Sequence, residues 1–135
     1  MLKIYALLCA FTAFSILSHA QTPVVNAKKR TGTLTIDGNP NESSWEFTNN
    51  ITKTIIGSPN NTSRFAVQWD EQYLYVAVTV VDAAKRNDSS NPWEDDAVEL
   101  FIDADNNGGT SYGNNDRQFM KEWNSSSLYE KNNST

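Results

Sequence analysis

The strongest constraint on this chain is a two-residue alternation between residues 65 and 81. Phe65, Val67 and Trp69 fall on one side of an extended segment. Asp70, Glu71 and Gln72 then supply a turn. Beyond it Leu74, Val76, Val78 and Val80 point one way, and Tyr73, Tyr75, Ala77 and Thr79 the other. A period of two is strand geometry, because successive side chains leave opposite faces of a pleated backbone. Two such runs joined by a tight polar turn predict a β-hairpin.

Shorter runs repeat the pattern. Residues 33–36 alternate before Asp37-Gly38, and residues 51–56 are mostly β-branched and end before Gly57-Ser58-Pro59. In residues 97–103, Val98, Leu100 and Ile102 are expected to face a core, with Ala97, Glu99 and Phe101 on the other side. Residues 117–123 form a further candidate strand, anchored by Phe119. Only residues 41–47 carry a helix-start pattern, with Glu42 in the first turn and Trp45 packing inward. Short strands separated by turn residues predict an all-β fold, an antiparallel β-sandwich of immunoglobulin- or jelly-roll-like type. A length of 135 residues fits one domain.

Residues 1–20 stand apart from that pattern. Lys3 gives a positive start, residues 4–17 are almost unbroken apolar sequence, and Ser18-His19-Ala20 offers small residues for cleavage. This is the pattern of a secretory signal peptide; the run is short for a membrane span. The expected layout is signal peptide 1–20, leader 21–30, sandwich module 31–123, and a polar segment 124–135. That last segment is either a tail or the start of a C-terminal part that the chain lacks. The expected location is secreted, periplasmic or cell-surface, with no membrane span in the mature chain.

Cleavage would remove Cys9 and His19, the chain's one cysteine and one histidine. The mature chain then has no thiolate and no imidazole, which excludes disulfides, Cys/His zinc sites and the usual nucleophilic triads. Carboxylates, amides, hydroxyls and indoles remain, groups that suit sugars and hard cations. A net charge of −5 disfavours nucleic acid and anionic lipid as partners. The acids concentrate between Asp82 and Asp116. Within that stretch Asp103, Asp105, Asn107 and Gly108 match the opening of an EF-hand loop, but Asn114 stands where the closing glutamate belongs. A turn-former-rich hairpin explains the same residues equally well. Asp82, Asp95 and Asp96 are rival cation ligands, since clustered carboxylates need a cation or solvent to coexist.

Three blocks in order carry a family resemblance. They are Ile36-Asp37-Gly38 with Glu42 and Trp45; Val67-Gln68-Trp69-Asp70-Glu71-Gln72-Tyr73-Leu74-Tyr75-Val76; and Asp82 followed by Asn91-Pro92-Trp93-Glu94-Asp95-Asp96-Ala97-Val98-Glu99-Leu100-Phe101-Ile102-Asp103. From about Thr33 to Phe119 the chain resembles family 9 carbohydrate-binding modules, which are often appended to secreted xylanases and other glycoside hydrolases. The resemblance implies a β-sandwich that binds the reducing ends of glucan- or xylan-type glycans and carries structural calcium. It places Trp93 on one of two sugar-sandwiching tryptophans and Glu99 on a hydroxyl-binding glutamate. Asn91 and Gln118 are expected to assist Glu99, and the calcium ligands are expected among Asp82, Asp96, Asp103, Asp105 and Asn107. Two departures stand out. Met120 follows Gln118-Phe119 where the family has a basic residue, and the segment that would hold the second tryptophan is absent, which implies a fragment or a half-built cleft.

The partners implied are an oligo- or polysaccharide and a linked glycoside hydrolase domain. Glu94 and Glu99 are paired carboxylates, but a small acidic loop offers neither the deep cleft nor the raised-pKa acid of a glycosidase. The chain is therefore expected to bind without catalysing. The competing expectation is an N-terminal structural or interaction domain of a larger cell-envelope protein, without sugar binding.

Overall fold

The computed structural model describes residues 23–132. The expected signal peptide, residues 1–20 with Cys9 and His19, lies outside the described residues. The strands are β1 (Lys28–Lys29), β2 (Asn49–Ile51), β3 (Asn61–Trp69), β4 (Leu74–Asp82), β5 (Ala97–Asp103), β6 (Asp116–Glu122) and β7 (Tyr129–Lys131), with a 3-10 turn at Pro92–Glu94. They form two sheets. In the first, β3 pairs with β4 on one side and with β1 and β2 on the other; in the second the order is β5-β6-β7. Every pairing is antiparallel except that of β1 with β3. The architecture is all-β and of the expected sandwich class. No described helix is long and apolar enough to cross a membrane.

The hairpin of β3 and β4 runs in register from Asn61↔Asp82 to Trp69↔Leu74. It reaches four residues further back than the alternation predicts, because the polar Asn61, Thr62 and Ser63 still find partners in Val80, Val81 and Asp82. The strand expected over residues 51–56 ends instead at Ile51. Ile51 already pairs with Ser63, and β3 begins two residues earlier, so little partner backbone remains. Ile55 and Ile56 are consequently exposed. The strand expected over residues 33–36 does not form either. There the Thr35 amide donates to Glu42 Oε1 at 2.7 Å, so a side chain takes the place of a neighbouring strand.

Glu42 also ties down the first of the three sequence blocks. Its Oε2 accepts from Trp45 Nε1 at 3.0 Å, and the Thr35 amide holds its carboxyl below the usual carboxylate range. The segment lies against the β3–β4 sheet through the buried Gln68, whose Nε2 donates to the Ser44 carbonyl at 3.0 Å, and through Arg64, stacked 5.2 Å from the Phe47 ring centroid. Beside Gln68 on that face are Ala66 and Ala77, paired with each other and buried. On the opposite face Phe65, Val67, Val76 and Val78 are half-buried, while Trp69, Leu74 and Val80 are exposed. The core is thus thin, and polar ties carry much of the loop structure.

Asp70 is the densest of these ties. Its Oδ1 accepts from the Gln72 and Tyr73 amides at 2.8 and 2.9 Å, closing the hairpin turn. Its Oδ2 accepts from Arg30 Nε at 2.6 Å and Tyr75 Oη at 2.8 Å. Arg30 in turn donates its amide to the Trp69 carbonyl, which aligns Lys28–Lys29 as β1 along the end of β3. The Gln72 amide, Arg30 and Tyr75 together hold the Asp70 carboxyl far below its ordinary value, and the Asp70 hydrogen bond raises that of Tyr75. A depressed folded-state pKa means stability present above about pH 4 and lost as pH falls through the folded value. Asp70→Asn keeps an acceptor for the turn but loses the charge facing Arg30. It is expected to lower the melting temperature by several degrees at pH 7, and the gap to the native chain should narrow below about pH 4 in thermal melts followed by circular dichroism.

Candidate functional site

The long polar connection between β4 and β5 is ordered by carboxylates. Asp96 Oδ2 accepts from the Arg86 amide at 2.6 Å, and Asp95 Oδ1 from the Asp88 and Ser89 amides at 2.9 and 3.1 Å. Ser89 Oγ donates to Glu94 Oε2 and accepts from the Asn91 amide. The Glu94 amide donates to the Asn91 carbonyl, closing the turn at Pro92–Glu94. Pro92 at the start of that turn has no amide to satisfy. The arrangement leaves the Trp93 indole 67% exposed. The Asn91 side chain makes no capping bond to the turn. Trp123 has a different environment, with its amide donating to the Asp96 carbonyl and Lys85 Nζ 4.4 Å from its ring centroid.

From this loop the chain enters β5, where the alternation is as the sequence predicts. Val98, Leu100 and Ile102 are half-buried; Ala97, Glu99, Phe101 and Asp103 are exposed. The register with β6 sets Glu99 opposite Met120, Phe101 opposite Gln118, and Asp103 opposite Asp116. Met120 is the apolar residue of this face that is buried, whereas Phe101 remains 58% exposed. Glu99 and Gln118 meet, with Gln118 Nε2 donating to Glu99 Oε2 at 3.1 Å. Gln118 Oε1 accepts from Tyr112 Oη at 2.9 Å, and Lys131 Nζ lies 5.7 Å from the Tyr112 ring centroid. A row of polar groups therefore runs along a partly covered sheet face beside the exposed Phe101 ring.

One end of that face is an acidic cluster. Ligand atoms of Asp103, Asp105 and Asp116 all lie within 4.8 Å of one another. They adjoin an open cavity of about 330 Å³ lined by Phe101, Thr110, Tyr112 and Arg117 among others. Asp103 accepts from the Gly108 and Asn107 amides, and these bonds hold its carboxyl below the usual range. Gly108 adopts a positive φ of 64° in this turn, a conformation that suits glycine. Asp105 Oδ2 accepts from Asn115 Nδ2 at 3.2 Å. Asp116 is buried. Its Oδ2 accepts from the Gly113 amide at 2.5 Å, and its Oδ1 is enclosed without a hydrogen-bond partner. A buried carboxylate oxygen left unpaired is costly, and a hard divalent cation among oxygen donors relieves that cost.

Of the ligands expected from sequence, Asp103 and Asp105 belong to this cluster. Asn107 shapes the same turn, its Oδ1 accepting from the Gly109 amide. Asp82 and Asp96 lie outside it, and each accepts a backbone amide in its own loop. Asp116 is the residue that sequence spacing missed. An EF-hand count looks for the closing ligand at Asn114, whereas the hairpin brings Asp116 across through the last pair of the β5–β6 ladder.

A partly covered sheet face with an exposed aromatic ring and neighbouring polar side chains is the kind of surface a binding module presents. Residues 36–135 match the family described as carbohydrate family 9 binding domain-like, and the chain belongs to that family. It is 43% identical over 100 residues to an endo-1,4-beta-xylanase A of Thermotoga maritima, a match covering 71% of this chain and 9% of that protein. The corresponding enzyme of Thermotoga neapolitana is 42% identical over 100 residues, with the same shares covered. An exoglucanase XynX of Acetivibrio thermocellus is 36% identical over 90 residues, 65% of this chain and 8% of its own length. The chain thus spans less than a tenth of the curated relatives it matches. No solved structure matches it.

Asp103, Asp105 and Asp116 could hold a divalent cation, and calcium tests whether they do. Adding CaCl2 is expected to raise the melting temperature in proportion to RT ln(1 + [Ca]/Kd), and Asp116→Asn is expected to abolish most of that rise. Terbium luminescence sensitised by the neighbouring Tyr112 gives a second reading of the same site. Equal calcium stabilisation of the native chain and the variant would remove Asp116 from the ligand set.

Proposed function

We propose that the chain is a non-catalytic module that binds the reducing ends of glucan- or xylan-type glycans. Trp93 stacks on a pyranose ring, whose apolar face complements a flat indole. Glu99 and Gln118 read the hydroxyls, with Asn91 contributing from the loop; between them they offer carboxylate acceptors and amide donors and acceptors, as a hydroxyl-rich ligand requires. Calcium at Asp103, Asp105 and Asp116 fixes the β5–β6 connection. The chain is exported by the signal in residues 1–20 and keeps polysaccharide close to a glycoside hydrolase domain during its breakdown.

The observation that most supports this reading is the Glu99–Gln118 hydrogen bond between exposed and half-exposed side chains of β5 and β6, with the 67% exposed Trp93 in the turn that leads into β5. Family membership and the xylanase relatives support the ligand class. A second reading, an interaction domain of a larger envelope protein, draws on the exposed apolar residues Trp69, Leu74 and Val80 of the β3–β4 sheet.

Isothermal titration with cellobiose, xylobiose and glucose separates the two. Binding of at least one sugar is expected, with Trp93→Ala weakening it about 30-fold or more and Glu99→Gln about tenfold. Absence of sugar binding would favour the interaction domain, whereas binding indifferent to Trp93→Ala would overturn the site proposed at Trp93.

A further inference from the structure

We propose that Tyr112 is a positioning residue that couples the cation cluster to the polar sugar readers; this inference rests on the sugar-binding reading for its functional meaning. The Glu99 carboxylate is exposed, and an exposed glutamate ordinarily samples several rotamers. Here it accepts from Gln118 Nε2 at 3.1 Å. That bond requires the Gln118 amide in one of its two orientations, nitrogen toward Glu99 and oxygen away. The opposite orientation would set oxygen against carboxylate. The acceptor-only Glu99 carboxylate favours the first, and Tyr112 Oη reinforces it by donating to Gln118 Oε1 at 2.9 Å, which holds the far end of the amide. A phenol is a strong donor, so the hydroxyl, amide and carboxylate form a directed chain across the β5–β6 face.

Tyr112 is itself placed by the cation loop. It precedes Gly113, whose amide donates to Asp116 Oδ2 at 2.5 Å. Asp116 Oδ1, from the same carboxylate, is the buried oxygen without a partner beside Asp103 and Asp105. Tyr112 and Asp116 line the same cavity. A cation that holds the Asp116 carboxylate therefore holds the Gly113 amide and, one residue away, the Tyr112 backbone. Lys131, near the Tyr112 ring, constrains the ring from the β7 side. An ion at one end of the face thus reaches the sugar-facing carboxylate through Tyr112 and Gln118 without touching the sugar. Linkage makes the coupling reciprocal, so bound sugar must tighten cation binding by the same factor as the cation tightens sugar binding.

Tyr112→Phe deletes the hydroxyl and keeps the ring. Titrations with cellobiose and xylobiose in CaCl2 are expected to show about 3- to 10-fold weaker binding by the variant. The same substitution on a Gln118→Ala background should change affinity no further, because the chain is already cut. Calcium should strengthen sugar binding by the native chain and do so much less for Tyr112→Phe. Full additivity of the two substitutions, or an unchanged calcium effect, would overturn the coupling while leaving sugar binding intact. A separate measurement needs no sugar. In nitrogen-15 spectra the Gln118 side-chain amide should shift on adding CaCl2 to the native chain, and should shift and exchange faster in Tyr112→Phe. An amide indifferent to both changes overturns the inference even where no sugar binds, whereas a responsive amide in a chain that binds no sugar upholds Tyr112 as a positioning residue and refutes the sugar-binding reading alone.

Discussion

The antiparallel register of β5 and β6 is the constraint on which the candidate site depends. It sets three residue pairs on one face: Glu99 with Met120, Phe101 with Gln118, and Asp103 with Asp116. A slip of one residue would send all of them to the opposite face, because side chains alternate with a period of two. Val98, Leu100 and Ile102 prevent that slip, since they would then exchange a half-buried environment for an exposed one. The apolar side of β5 thus fixes the chemistry of its polar side. Glu99, Phe101 and Asp103 share one face because Val98, Leu100 and Ile102 alternate with them toward the other, half-buried side.

A thin core explains why carboxylates recur wherever the chain turns. Among the described residues, the buried apolar side chains are Ala66, Ala77 and Met120, so apolar burial contributes little to holding the loops. Loop amides must still be satisfied. Glu42 serves Thr35; Asp70 serves Gln72 and Tyr73; Asp95 serves Asp88 and Ser89; Asp103 serves Asn107 and Gly108. A carboxylate accepts several donors at once, which suits it to closing short turns. The same bonds account for the lowered pKa values of Glu42, Asp70 and Asp103.

These two features decide what was legible in the sequence. The β3–β4 hairpin and the facing of β5 could be read directly from two-residue alternation, which reports strand geometry; on β3 and β4 it did not report the buried side, where the small Ala66 and Ala77 and the polar Gln68 lie opposite the larger apolar side chains. The polar start of β3 at Asn61–Ser63 and the short β7 at Tyr129–Lys131 carry no such signal; backbone pairing alone makes them strands. Residues 33–36 alternate without forming a strand, because Glu42 reaches the Thr35 amide first. Trp93 and Glu99 are candidate sugar contacts through family resemblance rather than periodicity. Asp116 was illegible to a linear ligand count, since its place in the cluster follows from a cross-strand pair and not from its distance along the chain. Tyr112 stood out by no motif; only the folded loop brings its hydroxyl to Gln118.

The dense acidic stretch from Asp82 to Asp116 therefore carries less cation chemistry than its composition implies. Clustered negative charge in a sequence invites the reading that several metal ions must neutralise it. In the folded chain most of that charge is met locally: Asp82 by the Ala84 amide, Asp95 and Asp96 by amides of residues 86–89, Glu94 by Ser89, Glu99 by Gln118, and Asp105 by Asn115. Asp116 Oδ1 is the exception, a buried oxygen with no donor. The case for a cation narrows accordingly from a stretch of thirty-odd residues to one end of one hairpin. A cation at that end of the β5–β6 face would sit where its occupancy can reach Gln118 and Glu99 through Tyr112, the path proposed for its coupling to sugar.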